Sequence, residues 1–372
     1  AYESGTLGVS AVPGSGKTHT LAMLAAKLAE RLVRDADPAV PPGMEPIVLI
    51  VTFSNAAVNN FKDRIGRMMA DRGLIPGIGY SVKTLHSMAA EIIREGGANY
   101  GLDPEAAIVD QTMSEYILQK IIRRTPREHL RGLFDLVANE NLEISKRDKA
   151  FSEKWCDYLM KVTQTVIKRA KDLEISPERL NELLELVPSS DRSSYLLLQG
   201  IAEFYEQYQS QLAAYPGYDF EDLMTNAYRI LDSDERLLAF YQKRWPFILE
   251  DEAQDSSAIQ ERVLRLLSGE TGNWVRVGTP NQAINVTFTT SNPHYLLDFL
   301  MEADMKVELD CSGRSTKSIL AAANHLIRWT TRDHPLESMR GALTEPYIYL
   351  TPRDDASPNP KDEPLRVVFD PK

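Results

Sequence analysis

Residues 11–18 read Ala-Val-Pro-Gly-Ser-Gly-Lys-Thr, placed between an apolar run at 7–12 and a stretch at 20–32 that carries Leu21, Leu24, Leu28 and Leu32. The run is short enough for a buried strand, and the leucine spacing is that of a helix face. Strand, glycine turn and helix in that order build a cradle for phosphate. Gly14 and Gly16 let the backbone amides turn inward, and the following helix offers its positive end to the same anion. Lys17 would reach the outer phosphates and the Thr18 hydroxyl would take one position on magnesium. Ala11 stands where the motif usually opens on glycine, which leaves Val12, Pro13, Gly14, Ser15 and Gly16 to line the turn.

With 372 residues, 43% of them hydrophobic and 26% charged, the chain has the make-up of a globular protein of two or three domains. It has no apolar run long enough for a membrane span and no basic-then-apolar leader, so the cytoplasm is the expected compartment. Cys156 and Cys311 are the only cysteines, too few for a disulfide framework or a cysteine metal site. The net charge of −11 argues against coating nucleic acid by bulk electrostatics and leaves room for a local basic track. Positive charge does concentrate at 120–131 and 146–171. In the latter, Trp155, Leu159, Val162 and Val166 suggest the apolar face of a helix, with Lys154, Lys161 and Lys168 recurring every seven residues on another face. Those lysines suit a solvated face or a phosphate contact.

Strand signals appear at 47–53 and 81–84, with a helix expected at 55–69 and another from Leu85. From there to Tyr215 the periodicity is helical, which implies an inserted helical domain of roughly 120 residues. Strands return at 246–250 and 274–278, separated by a helix at 257–267. Alternation on both sides of the insertion implies one interrupted parallel sheet. The expected division is 1–95 and 217–290 for the first domain, 96–216 for the insertion and 291–372 for the start of another. Residues 365–369 look strand-like and stop at the chain end, as if the element were interrupted.

Residues 248–256 read Ile-Leu-Glu-Asp-Glu-Ala-Gln-Asp-Ser, an apolar strand delivering carboxylates at its carboxyl end. Nucleotide hydrolysis needs one carboxylate to hold magnesium and a second to orient water, and Asp251 and Glu252 suit those tasks in that order.

Together these motifs resemble the N-terminal part of a UvrD/Rep-type superfamily 1 DNA helicase, from Ala11 to about Ile327. The landmarks are Thr52-Phe53-Ser54-Asn55 with Arg64-Ile65, Thr84-Leu85-His86-Ser87, and Tyr218-Asp219-Phe220-Glu221-Asp222-Leu223. Asp251-Glu252-Ala253-Gln254-Asp255, Gly278-Thr279-Pro280-Asn281-Gln282-Ala283-Ile284 and Arg314-Ser315-Thr316 follow. The resemblance implies an α/β fold, a RecA-like P-loop NTPase sheet with an all-helical inserted domain. It implies ATP and Mg2+ as ligands, with Asp251 on the metal, Glu252 as general base, and Gln254 and Gln282 sensing the γ-phosphate. Arg314 would reach that phosphate from the second RecA-like domain. It also implies that the segments of Phe53, Asn55 and His86 meet single-stranded DNA or a single-/double-strand junction, in a monomer moving 3′ to 5′. The residues alone leave alternatives open: Phe53 as core, His86 as a helix cap, and Asp219 and Asp222 as organisers of the return from the insertion.

The chain departs from the family at Thr279, where an aspartate is usual, and at Thr287-Phe288-Thr289, where Phe-Arg-Gly is usual. Gly313 replaces an aromatic that packs on adenine, and the adenine-reading glutamine segment ahead of the phosphate loop has no counterpart. Nothing after Arg314 matches the later motor motifs. The chain is therefore expected to be an N-terminal fragment with little ATPase activity alone and little stimulation by DNA. The competing expectation is a catalytically weak, nucleotide-dependent DNA-binding or regulatory module. A nucleotide kinase has no use for the Gln254 and Gln282 segments.

Overall fold

The computed structural model describes residues 2–139, 141, 143–186, 192–215, 217–269, 272–282, 290, 292–344, 347–352, 355 and 357–362. The sequence features at Ala283, Ile284, 287–289 and 365–369 lie outside the described residues.

Along the chain, β1 (Leu7–Ala11) leads into α1 (Lys17–Arg34), β2 (Val48–Thr52) into α2 (Asn55–Ala70), and β3 (Tyr80–Thr84) into α3 (Leu85–Gly96). The insertion begins with β4 (Ala107–Ile108) and continues through α4 (Gln111–Arg124), α5 (Arg127–Val137), α6 (Ile144–Glu153), α7 (Trp155–Asp172), α8 (Pro177–Glu185) and α9 (Arg192–Ala214). It closes on β5 (Gly217–Tyr218), followed by α10 (Phe220–Ser233) and α11 (Glu235–Arg244). Next come β6 (Phe247–Glu250), α12 (Ala258–Ser268), β7 (Trp274–Gly278), α13 (His294–Glu302) and β8 (Met305–Leu309). The rest holds β9 (Cys311–Ser312), α14 (Lys317–Arg328) and β10 (Tyr349–Leu350).

Six of these strands make one sheet in the order β3-β2-β6-β7-β1-β8, and every pairing in it is parallel. All six carboxyl ends therefore open on one edge, where ligands bind in such sheets. The alternation of side chains explains the layers. Val48 and Ile50 pack with Leu21, Leu28, Phe61 and Ile65 of α1 and α2 on one face. Leu49 and Val51 pack with Met88, Ile92, Leu223 and Val263 on the other. Because both faces are covered, the strands read as continuous apolar runs.

The insertion has a core of its own, including Ile117, Leu118, Trp155, Phe204 and Tyr208. At its root the two-residue β4 pairs in parallel with β5, Ala107 opposite Gly217. The buried face of α7 differs from expectation. Its stripe is Trp155, Leu159, Thr163, Ile167 and Ala170, which follows the helical turn, and Val162 and Val166 flank it half-buried. Lys168 leans to within 4.0 Å of Glu221. The sheet also outruns the boundary placed at 290/291: β8 pairs with β1 from Leu7 opposite Met305 to Ala11 opposite Leu309.

A buried ion cluster ties the insertion to the sheet domain. Lys171 of α7 donates to Asp219, the residue capping α10, and lies 2.9 Å from Asp222. Tyr208 donates to the same Asp219 carboxylate at 3.0 Å. Burial works against the Lys171 ammonium, and the two aspartates outweigh it, so its pKa lies above the ordinary value. Asp219→Ala should leave that ammonium under-compensated and cost about 3 kcal/mol of stability, read as a lower urea midpoint. A change below about 1 kcal/mol would show that the cluster adds little.

Candidate nucleotide site and nucleic-acid edge

The loop after β1 adopts the backbone its sequence requires. Gly14 has φ 81° and Gly16 has φ 87°, both in the left-handed region, and Gly16 caps α1 without a side-chain bond. A Cβ at Gly14 would also stand 2.5 Å from Arg314 Cβ and 2.7 Å from Ser312 Oγ, so a side chain there would push off the segment that follows β9. Gly313 N donates to Gly14 O at 3.3 Å. Arg314 is thus brought against the phosphate loop, its side chain exposed.

Lys17 Nζ donates to Glu252 Oε2 at 2.9 Å and to Thr279 Oγ1 at 2.6 Å. These partners come from the loops after β6 and β7, so one ammonium gathers three strand ends. Thr279, read from sequence as a departure, is a direct partner of the phosphate-loop lysine. Gln254 completes the group: its Nε2 donates to Glu252 Oε2 at 2.8 Å, and its Oε1 accepts from Thr279 N at 2.9 Å.

Glu252 is one of two non-glycine residues with positive φ among the described residues, at φ 56°. A left-handed glutamate costs about 1–2 kcal/mol. The twist turns the chain from β6 toward the Lys17 ammonium. Burial opposes ionisation of Glu252, but the Gln254 amide, Lys17 and Arg314 outweigh it and hold its pKa below the usual value.

Asp251 behaves in the opposite way. It is buried, and its Oδ1 has no hydrogen-bond partner among the described residues. Burial first, and then the charge of Glu252, push its pKa from 3.8 to about 7 against the pull of Lys17. Ser15 Oγ in the phosphate loop is likewise buried without a hydrogen-bond partner. An unsatisfied carboxylate oxygen is costly unless a cation completes it, so Asp251 fits a divalent cation such as Mg2+, and Thr18 stands in the first turn of α1 directly after Lys17. No cluster of three or more His, Cys, Asp or Glu able to hold a metal occurs among the described residues. Such a cation would take its other ligands from water and phosphate.

Behind the site, Arg276 of β7 is fully buried and pairs with Glu250 of β6 at 2.8 Å and Glu261 of α12 at 3.2 Å. Its guanidinium also lies over Trp274, 4.7 Å from the ring centre. This pair pins β6 to β7 immediately before Asp251, and no spacing in the sequence announced it.

Phe53, Asn55 and His86 follow β2 and β3 at the same open edge, on the far side of β6 from the phosphate loop. Ser54 caps α2, which leaves Asn55 exposed at its first turn. Phe53 is partly buried against the core. His86 packs on Phe220, ring centres 4.8 Å apart, and burial lowers its pKa. Thr84, not His86, caps α3. Phe220 is thus an aromatic of this edge that the motif reading did not single out. Gln282 is exposed on the turn after Thr279. Gly313 admits no aromatic with this backbone, since a Cβ there would meet the Ser357 carbonyl.

The family described as UvrD/REP helicase N-terminal domain matches residues 1–304. The chain belongs to that family. Its fold and landmark segments are those of a UvrD-type helicase N-terminal domain. ATP-dependent DNA helicase PcrA of Staphylococcus aureus strain Mu50 is 25% identical over 359 residues, 95% of this chain and 42% of that protein. A probable DNA helicase II homolog of Mycoplasma capricolum is 25% identical over 317 residues, 85% of this chain and 38% of that protein. This chain therefore spans less than half the length of these UvrD-type relatives.

The raised Asp251 pKa predicts a pH dependence. The folded chain retains a proton that the unfolded chain loses from about pH 4, so this group's contribution to stability falls as pH rises toward about 7. A cation at Asp251 must displace that proton. Mg2+-dependent nucleotide affinity should rise about tenfold from about pH 6 to about pH 8. Titration calorimetry at both pH values checks this, and Asp251→Asn should flatten the profile.

Proposed function

We propose that this chain is the nucleotide-hydrolysing and DNA-gripping portion of an ATP-dependent DNA translocase or helicase. The observation that carries the reading is the Lys17 ammonium, held between Glu252 at 2.9 Å and Thr279 at 2.6 Å beside a buried, unpartnered Asp251 oxygen. The reading carries with it a cytoplasmic monomer that moves 3′ to 5′ on single-stranded DNA, and a longer motor that completes the cleft. The 42% coverage of the PcrA relative supports that last element.

Amides of the loop around Gly14 and Gly16, with Lys17, bind the phosphate chain of ATP. Thr18 and Asp251 would hold Mg2+, which would neutralise charge on the phosphate oxygens. A phosphate in the loop competes with Glu252 for the same ammonium, and Gln254 keeps the released carboxylate in place. Glu252 then accepts a proton from a water molecule as its oxygen bonds to the γ-phosphorus. The bridging bond to the β-phosphate breaks, giving ADP and inorganic phosphate. Arg314, against Gly14, stabilises the charge that gathers on the transferring group. Gln282, next to the Thr279 turn, lies on the route from this group toward the DNA edge.

Single-stranded DNA lies across the ends of β2 and β3, where Phe53, Asn55 and the His86–Phe220 pair offer ring faces and an amide. Stacking on such faces contributes about 1–3 kcal/mol per base without reading its identity, which suits a motor that must pass any sequence.

Glu252→Gln should keep nucleotide binding, since Lys17 and the loop are intact, while ATP hydrolysis falls about 100-fold or more. Phosphate release with a matched binding titration measures both. Hydrolysis unchanged by the substitution would overturn the reading in favour of a nucleotide-dependent binding module.

A further inference from the structure

The turn that holds Lys17 also holds a segment far along the chain. Thr279 bonds Lys17 and Gln254, and two residues later Asn281 clamps the backbone of Thr344 on both sides. Asn281 Nδ2 donates to Thr344 O at 2.6 Å, and Asn281 Oδ1 accepts from Thr344 N at 2.8 Å. The turn between them is closed by Gln282 N donating to Thr279 O at 3.0 Å. It is too short to let Thr279 move without moving Asn281.

A second asparagine repeats the device from the other side. Asn324 of α14 donates to Ile348 O at 2.7 Å and accepts from Ile348 N at 2.8 Å. Thr344 is therefore fastened to the sheet domain, and Ile348 to the helix beyond it. Beside it is a largely apolar cavity of about 220 Å³, with Ala11, Val12 and Pro13 on one wall and Ala323, Leu326 and Ile327 on another. Asn281 and Ile348 both line this gap, so the two clamps stand at its rim. A two-point amide clamp is directional, so it transmits a displacement that a loose apolar contact would absorb.

We propose that Asn281 is a positioning residue that couples the phosphate site to Thr344 and, through Ile348, to α14. The inference rests on the reading of Lys17 as a phosphate ligand. Phosphate draws Lys17 away from Thr279, the turn relaxes, and Asn281 carries Thr344 with it. Ile348 and Asn324 pass the shift to α14.

Hydrogen exchange on the whole chain, with and without Mg2+ and a non-hydrolysable ATP analogue, tests this. In the wild-type chain the analogue should change exchange of the Thr344 and Ile348 amides about threefold or more. Asn281→Ala should bind the analogue within about twofold of wild type while those two amides stop responding. Asn281→Asp keeps the acceptor and loses only the donor, and should weaken the response if the alanine variant fails to fold. A full response in the folded variants would overturn the inference and leave the phosphate reading standing. So would a wild-type chain that binds the analogue with both amides unmoved. No binding to the wild-type chain would overturn both.

Discussion

One ammonium organises the working edge of this protein. Lys17 lies at the start of α1, and its two contacts reach the loops after β6 and β7. The three strands are neighbours in the order β6-β7-β1, so a single side chain can span their ends. The partners are matched to that role: Glu252 is held low in pKa and charged, and Thr279 offers a hydroxyl to the ammonium. A competing anion at Lys17 would alter both contacts at once, which gives a small ligand leverage over two loops.

The parallel sheet supplies the rest. Because every strand runs the same way, the phosphate loop, the acidic loop and the Phe53 and His86 segments share one edge. The buried Arg276–Glu250 pair fixes β6 against β7 just before Asp251. Such a pair contributes little net stability against an apolar alternative, yet removing one member is costly. Its value here is positional, since a shift of β6 would move Asp251 and Glu252 together.

Features with local chemistry were legible in the sequence. The phosphate loop and the acidic strand announce themselves in a few adjacent residues, and the burial of β2 on both faces follows from its unbroken apolar run. Features made by distant residues were not. Asn281 and Thr344 are 63 positions apart, and Arg276 and Glu250 are 26 apart. Thr279 was read as a lost aspartate because comparison with a motif shows what is missing, whereas geometry shows what takes its place. The pairing of β8 with β1 was hidden for a related reason, since it joins residues nearly 300 positions apart. On α7 the error was one of phase, since valines at 162 and 166 mimic a stripe that Thr163 and Ile167 occupy.

Under the proposed function the phosphate loop and the DNA edge act as parts of one device, and this coupling is open to measurement. It is tested most directly by titrating a labelled oligothymidylate with this chain, with and without Mg2+ and a non-hydrolysable ATP analogue, and repeating the titration with Lys17→Ala. The analogue should change DNA affinity about tenfold in the wild-type chain and not in the variant. Equal DNA affinity with and without bound analogue in the wild-type chain would contradict it.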